Sequence, residues 1–166
     1  MAFSIYWEDM TPGSTRELGT TSVTAEEIKE FAAKYDPQPF HLDEEAAKHS
    51  IFGSLCASGW QTAGLAMRLT VDNMLKKTPS KGSPGLESLK WLKPVYPGDQ
   101  LTLRHTILEQ KAMRKRPDTG LVRSRWEMFN QDGAKVLEME GWGMFGRREP
   151  ATPAELAQLD AQRAAS

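Results

Sequence analysis

The sequence predicts an α+β domain in which an antiparallel sheet is curled around one buried helix. Three observations carry the prediction. The first half of the 166-residue chain has helical periodicity, the second half has strand alternation, and between them Leu55 to Leu69 carries a single formal charge, Arg68. A helix with almost no polar face has to be buried, and the strands that follow it offer the one large apolar surface able to receive it.

Taken in order, Asp9-Met10-Thr11-Pro12-Gly13 is rich in turn residues and leads into Thr15 to Val23, a Thr-rich stretch that reads as an edge strand. Thr24-Ala25-Glu26-Glu27 has the form of a capping box, in which the threonine hydroxyl and the glutamate carboxylate satisfy each other's backbone N–H groups. A helix should begin there. Ile28, Phe31, Ala32 and Tyr35 share one helical face, and Pro37 ends the run by excluding Asp36 from the helical region. Pro37 and Pro39 are expected to keep Asp36 to His41 extended, with Asp43 capping a short helix that follows. The central helix should start near Ser58-Gly59. Thr78 to Gly85, rich in Pro, Ser, Gly and Lys, is a loop.

Beyond that loop, Leu86–Val95, Leu101–Lys111, Leu121–Asn130 and Lys135–Phe145 alternate apolar and polar residues. Tyr96-Pro97-Gly98-Asp99, Pro117-Asp118-Thr119-Gly120 and Gln131-Asp132-Gly133 separate them, and such short connections imply an antiparallel meander. Thr152-Pro153-Ala154-Glu155 combines a cap, a proline at the first helical position and a carboxylate at the third, which predicts an exposed terminal helix. Residues 1–148 are read as one domain and 149–166 as its tail.

Charge and composition exclude several classes. With 21 Lys+Arg against 22 Asp+Glu the net charge is -1, which argues against a nucleic-acid partner. No stretch has the length and apolarity of a membrane span, and the opening lacks the basic and apolar regions of a signal peptide. One cysteine, Cys56, can form no internal disulfide, so a cytoplasmic protein is expected.

Reactive side chains are densest in Tyr35-Asp36-Pro37-Gln38-Pro39-Phe40-His41-Leu42-Asp43. Two prolines stiffen this backbone, so that a carboxylate and an imidazole can be held toward one point and grip one water. On residue types alone the alternative stands beside it, with Asp36 capping a neighbouring amide and His41 an ordinary loop histidine. Cys56 is expected to be a packing residue. His41, Asp43 and His49 fit no zinc spacing, and no metal site is expected. His105, on an alternating strand, should face solvent or have its nitrogens satisfied. Lys111, Arg114, Lys115 and Arg116 at a hairpin tip could attract phosphates, although a solvated turn is the simpler reading.

The Asp36–His41 segment resembles the Asp-x-Asn-Pro-x-His motif of MaoC-like dehydratases, the (R)-specific enoyl-CoA hydratases of the hotdog fold. Asp36, Pro39 and His41 match it. Cys56-Ala57-Ser58-Gly59-Trp60 is similar to the family's segment with a glycine opening the central helix, and Leu92-Lys93-Pro94-Val95-Tyr96-Pro97-Gly98-Asp99 to its strand-turn element. Gln38 replaces the usual asparagine, Ser58 stands where histidine is common, and Trp60 stands where a smaller apolar residue is frequent.

The resemblance implies a hotdog fold, a homodimeric assembly and reversible syn addition of water to a trans-enoyl-CoA, giving an (R)-3-hydroxyacyl-CoA. Asp36 and His41 would be catalytic, Gly59 the oxyanion donor, and Gln38, Ser58 and Trp60 would border the acyl-CoA substrate. No cofactor beyond the CoA thioester is implied. A hotdog thioesterase and a non-catalytic thioester-binding subunit are the alternatives.

Overall fold

The computed structural model describes residues 2–165. Its elements run β1 (Thr15–Ser22), α1 (Ala25–Tyr35), α2 (Pro39–Leu42), α3 (Glu44–Lys48), α4 (Gly59–Asn73), β2 (Gly85–Trp91), β3 (Gln100–Ala112), β4 (Thr119–Phe129), β5 (Lys135–Gly146) and α5 (Pro153–Ala164), with short 3-10 turns at Trp7–Asp9 and Leu75–Lys77. The local codes explain most boundaries. Thr24 accepts from the Glu27 N–H while the Glu27 carboxylate accepts from the Thr24 N–H, and the same reciprocal bonds join Thr152 and Glu155 at the start of α5. Asp43 caps α3 by accepting from the Ala46 N–H. Each such cap stabilises its helix by about 1 kcal/mol.

All five strands form one antiparallel sheet in the order β1-β3-β4-β5-β2. The expected four-strand meander holds for β3, β4 and β5 only. Instead of pairing with β3, β2 lies at the far edge beside β5, with Trp91 opposite Leu137. The Pro97-Gly98-Asp99 turn is therefore part of a crossover and closes no hairpin. It is held by the loops that flank the helices: the Ala57 N–H donates to Val95 O, the Tyr96 hydroxyl to Phe52 O, and the Gly98 N–H to Val23 O. Gly98 sits at φ +84°, where side chains are disfavoured.

One sheet face packs on α4. Leu101, Leu103 and Ile107 of β3, Val122 and Met128 of β4, and Leu137 and Met139 of β5 meet Ala66 and Leu69 in one core. The opposite face carries ion pairs, among them Arg104–Glu127, Arg125–Glu140 and Arg123–Glu87, as water-facing strand residues do. The central helix is less enclosed than its composition suggests. Gln61, Thr62, Ala66, Leu69 and Thr70 are buried, whereas Trp60 and Met67 are exposed, because a single sheet covers only one side of a helix.

Candidate active site

The end of α1 delivers Asp36. Its N–H still bonds Ala32 O, but Pro37 prevents another helical residue, and the backbone leaves the helix at φ -151°, ψ 67°. Extended backbone persists only to Gln38. Pro39 then opens the single turn α2, since its fixed φ suits the first helical position. The expectation of an extended chain through His41 is corrected on this point. That turn swings His41 back toward Asp36, which a straight segment could not do.

His41 is 5% exposed. Its Nδ1 lies 2.6 Å from the Cys56 carbonyl oxygen. A carbonyl only accepts, so Nδ1 carries the hydrogen, and the neutral ring then presents a lone pair at Nε2. Nε2 stands 3.3 Å from Asp36 Oδ2. The same Oδ2 accepts from Ser58 Oγ at 2.7 Å, and Oδ1 accepts from Gln38 Nε2 at 2.7 Å. Burial pushes the Asp36 carboxyl up, but the hydrogen bonds from Ser58 and Gln38 and the field of His41 together hold it below the usual carboxylate range. Asp36 is therefore ionised at neutral pH and available as an acceptor.

Ser58 also caps α4, where its Oγ accepts from the Trp60 N–H. The carboxylate is thereby tied to the N-terminus of the central helix, where the helix dipole adds positive character. Gly59 follows, and its N–H has no acceptor among the described residues. Asp36, His41, Gly59 and Trp60 border one cleft of about 490 Å³ whose other walls include Phe52 and Trp91. All six side chains or backbone units singled out from the sequence, Asp36, Gln38, His41, Ser58, Gly59 and Trp60, thus meet at one place.

Two contributors escaped sequence reasoning. The Cys56 carbonyl sets the His41 tautomer, and a backbone oxygen leaves no mark in residue types. Trp91 reads as an ordinary strand aromatic, yet it donates its Nε1–H to Gly59 O at 2.8 Å. Burial, then the field of Asp36, pushes the Cys56 thiol up to about 11, so it is not a thiolate nucleophile at neutral pH. No group of three or more potential metal ligands occurs among the described residues.

The basic cluster lies elsewhere. Trp91 pairs with Leu137, Leu137 with Met128, and Met128 with Leu103, whereas the Lys111–Arg116 tip follows the opposite end of β3. Nine strand residues, roughly 30 Å, separate the two ends. Arg114 is paired there with Asp160 of α5.

Sheet order, central helix and site position define a hotdog domain. A Mycobacterium tuberculosis protein with a double hotdog fold superimposes at a TM-score of 0.75 and 17% identity, over 90% of this chain and 45% of that one. A family model described as MaoC like domain matches residues 9–125, and the chain belongs to that family. It is similar to a MaoC-like dehydratase of Rhodospirillum rubrum, at 38% identity and a TM-score of 0.79, covering 88% of this chain and 99% of that one. It is also similar to the R-hydratase PhaJ1 of Pseudomonas aeruginosa, at 26% identity and a TM-score of 0.69, covering 89% of each chain.

Proposed function

We propose that the protein is an acyl-thioester hydratase/dehydratase that adds water reversibly, and syn, to a trans-enoyl-CoA to give an (R)-3-hydroxyacyl-CoA. One observation carries the reading. His41 Nε2 and Asp36 Oδ2, 3.3 Å apart, are both acceptors when the histidine is neutral, and a water donating one hydrogen to each satisfies both. Such a water has its oxygen free to attack a carbon at the cleft side.

The proton it loses is received by the Asp36–His41 pair and held between Nε2 and Oδ2. The same proton is then returned to the alpha-carbon from the same side, which makes the addition syn. As the water oxygen bonds to the beta-carbon, electrons move through the double bond onto the thioester oxygen. The unpaired Gly59 N–H at the head of α4 is suited to receive that charge. The addition of water involves no net oxidation or reduction, so the scheme calls for no redox cofactor. Resemblance to the R-hydratase supports the stereochemistry, and the largely apolar walls around the polar pair suit an acyl chain.

The assembly belongs to the same proposal. Among the described residues the outer edge of β2 is unpaired, and Trp60, Trp91 and Leu92, which border the cleft, are each between 45% and 60% exposed, as is Leu86 further along β2. A second copy docked along this edge would cover them and complete the cleft wall. Light scattering should give twice the 18.6 kDa chain mass; a monomer would refute the homodimer. No helix among the described residues is long and apolar enough to cross a membrane, and a cytoplasmic site of action accords with a CoA substrate.

The reaction is tested by following loss of enoyl-thioester absorbance with a panel of enoyl-CoAs. Turnover that collapses in Asp36→Asn and His41→Ala supports the assignment. Release of free thiol from saturated acyl-CoAs, with no hydration, would make the protein a thioesterase instead.

A further inference from the structure

Trp91 has an unusual relation to the head of the central helix. A Cβ built on Gly59 would lie 2.4 Å from Trp91 Cε2, 2.6 Å from Nε1 and 2.7 Å from Cδ2. The indole thus occupies the space of a side chain at position 59. Its Nε1–H is donated to Gly59 O at 2.8 Å, and it makes a T-shaped contact with the Trp60 indole, with ring centroids 5.1 Å apart. The two tryptophans stand on neighbouring walls of the cleft.

Gly59 needs such support. Its own N–H has no acceptor among the described residues, and glycine has the least restricted backbone of any residue. On one side it is anchored by Ser58, whose Oγ is held between Asp36 and the Trp60 N–H. On the other, its carbonyl oxygen accepts from Trp91. Trp91 is in turn fixed by the sheet, where it pairs with Leu137. A rigid strand therefore sets the position of a backbone amide on the helix facing it, some thirty residues earlier in the chain.

We propose that Trp91 is a positioning residue: its indole fills the side-chain space of Gly59 and holds the Gly59 carbonyl, fixing the Cα of this residue at the head of α4, so that the Gly59 N–H of the preceding peptide is presented to the thioester oxygen. This rests on the hydratase reading above. An oxyanion donor matters most when charge has developed on the oxygen, so misaiming it lowers kcat more than it alters KM. Gly59 is required because any side chain there would collide with the clamp.

The test compares Trp91→Phe, Trp91→Ala, Gly59→Ala and the Gly59→Ala/Trp91→Ala double variant in the enoyl-CoA assay, with thermal melts of each. Trp91→Phe, which keeps most of the ring and loses the N–H, should lower kcat by roughly fivefold with KM and melting temperature little changed. Trp91→Ala should lower kcat by roughly 30-fold and Gly59→Ala by roughly 100-fold, within the range for loss of one oxyanion donor. The double variant should be no worse than Gly59→Ala alone, because removing the indole makes room for the new methyl group. Losses that multiply, or a Trp91→Phe enzyme with kcat within a factor of 1.5 of wild type, would overturn the proposal.

The clamp is also readable without turnover. In a 15N-labelled sample, Trp91→Phe should shift the Gly59 and Trp60 amide resonances more than those of the remainder of α4; an unshifted pair overturns the clamp. Absence of hydration by the wild type, with those shifts present, would instead strike the hydratase reading.

Discussion

His41 and His105 are both withdrawn from water, at 5% and 0% exposure, but their surroundings differ in every chemical respect. His41 has a carbonyl on one nitrogen and a carboxylate near the other, and it borders a cleft. His105 has no hydrogen-bond partner on either nitrogen among the described residues. It shares the inward face of β3 with Leu103 and Ile107, lies opposite Trp126 on β4 and Arg16 on β1, and has its ring 5.3 Å from that of Trp126. Burial, then the field of Arg16, pushes its pKa down to about 4. The expectation that His105 faces solvent or is satisfied is therefore corrected: strand alternation turned it into the core. The pair teaches that partners, and not depth, make a histidine chemically useful, since a buried ring without them is simply held neutral.

The strongest way to break this contrast is at Asp36. Asp36→Asn should lower hydration kcat by about 10³-fold, as expected for loss of a positioned proton acceptor, while His105→Leu should leave kcat within about threefold. Comparable losses at both positions, measured in the same absorbance assay, would erase the distinction.

The next effect is on stability. Unfolded His105 takes up its proton near pH 6.5, and the native residue only near pH 4. As pH falls between those values the unfolded chain binds more protons, so the protein loses up to about 3 kcal/mol from this residue at about 1.4 kcal/mol per pH unit. Urea melts at pH 7 and pH 4.5 should show this loss in wild type and a clearly smaller one in His105→Leu. Equal losses in the two proteins would show that His105 is not its source.

Ser58→Ala sharpens the comparison from the side of the site. It removes both a donor to Asp36 and the cap of α4, and should destabilise the protein by about 1 kcal/mol. Without that donor the Asp36 pKa rises, so the acid limb of the pH–rate profile should move to higher pH; an unmoved limb would disconnect Ser58 from the carboxylate. The smallest effect is expected at the distal tip, where Lys115→Ala should change KM for an enoyl-CoA by less than about twofold, because the tip lies roughly 30 Å of strand from the site.

Much of the molecule was legible from short-range patterns. Thr24 with Glu27, Asp43 before α3, and Thr152 with Glu155 mark their helices because a cap is written within four residues. The alternation in β3, β4 and β5 likewise predicts which face is buried. At the site, Asp36 and His41 were legible because Pro37 and Pro39 keep them close along the chain. Ser58 and Gly59 were found through resemblance, and the contact of Ser58 with Asp36 bridges 22 residues.

What the sequence determined by itself, then, is most of the elements, α2 excepted, and the nearness of a carboxylate to an imidazole along the chain, because these depend on neighbours within a turn of helix or a few strand positions. The tertiary structure alone decided that β2 crosses to the edge beside β5, that His105 is left without a partner, and that Trp91 lies on Gly59. Those outcomes follow from which surfaces pack together after the strands have formed, and through-space neighbours distant in the chain leave no local pattern from which to read them.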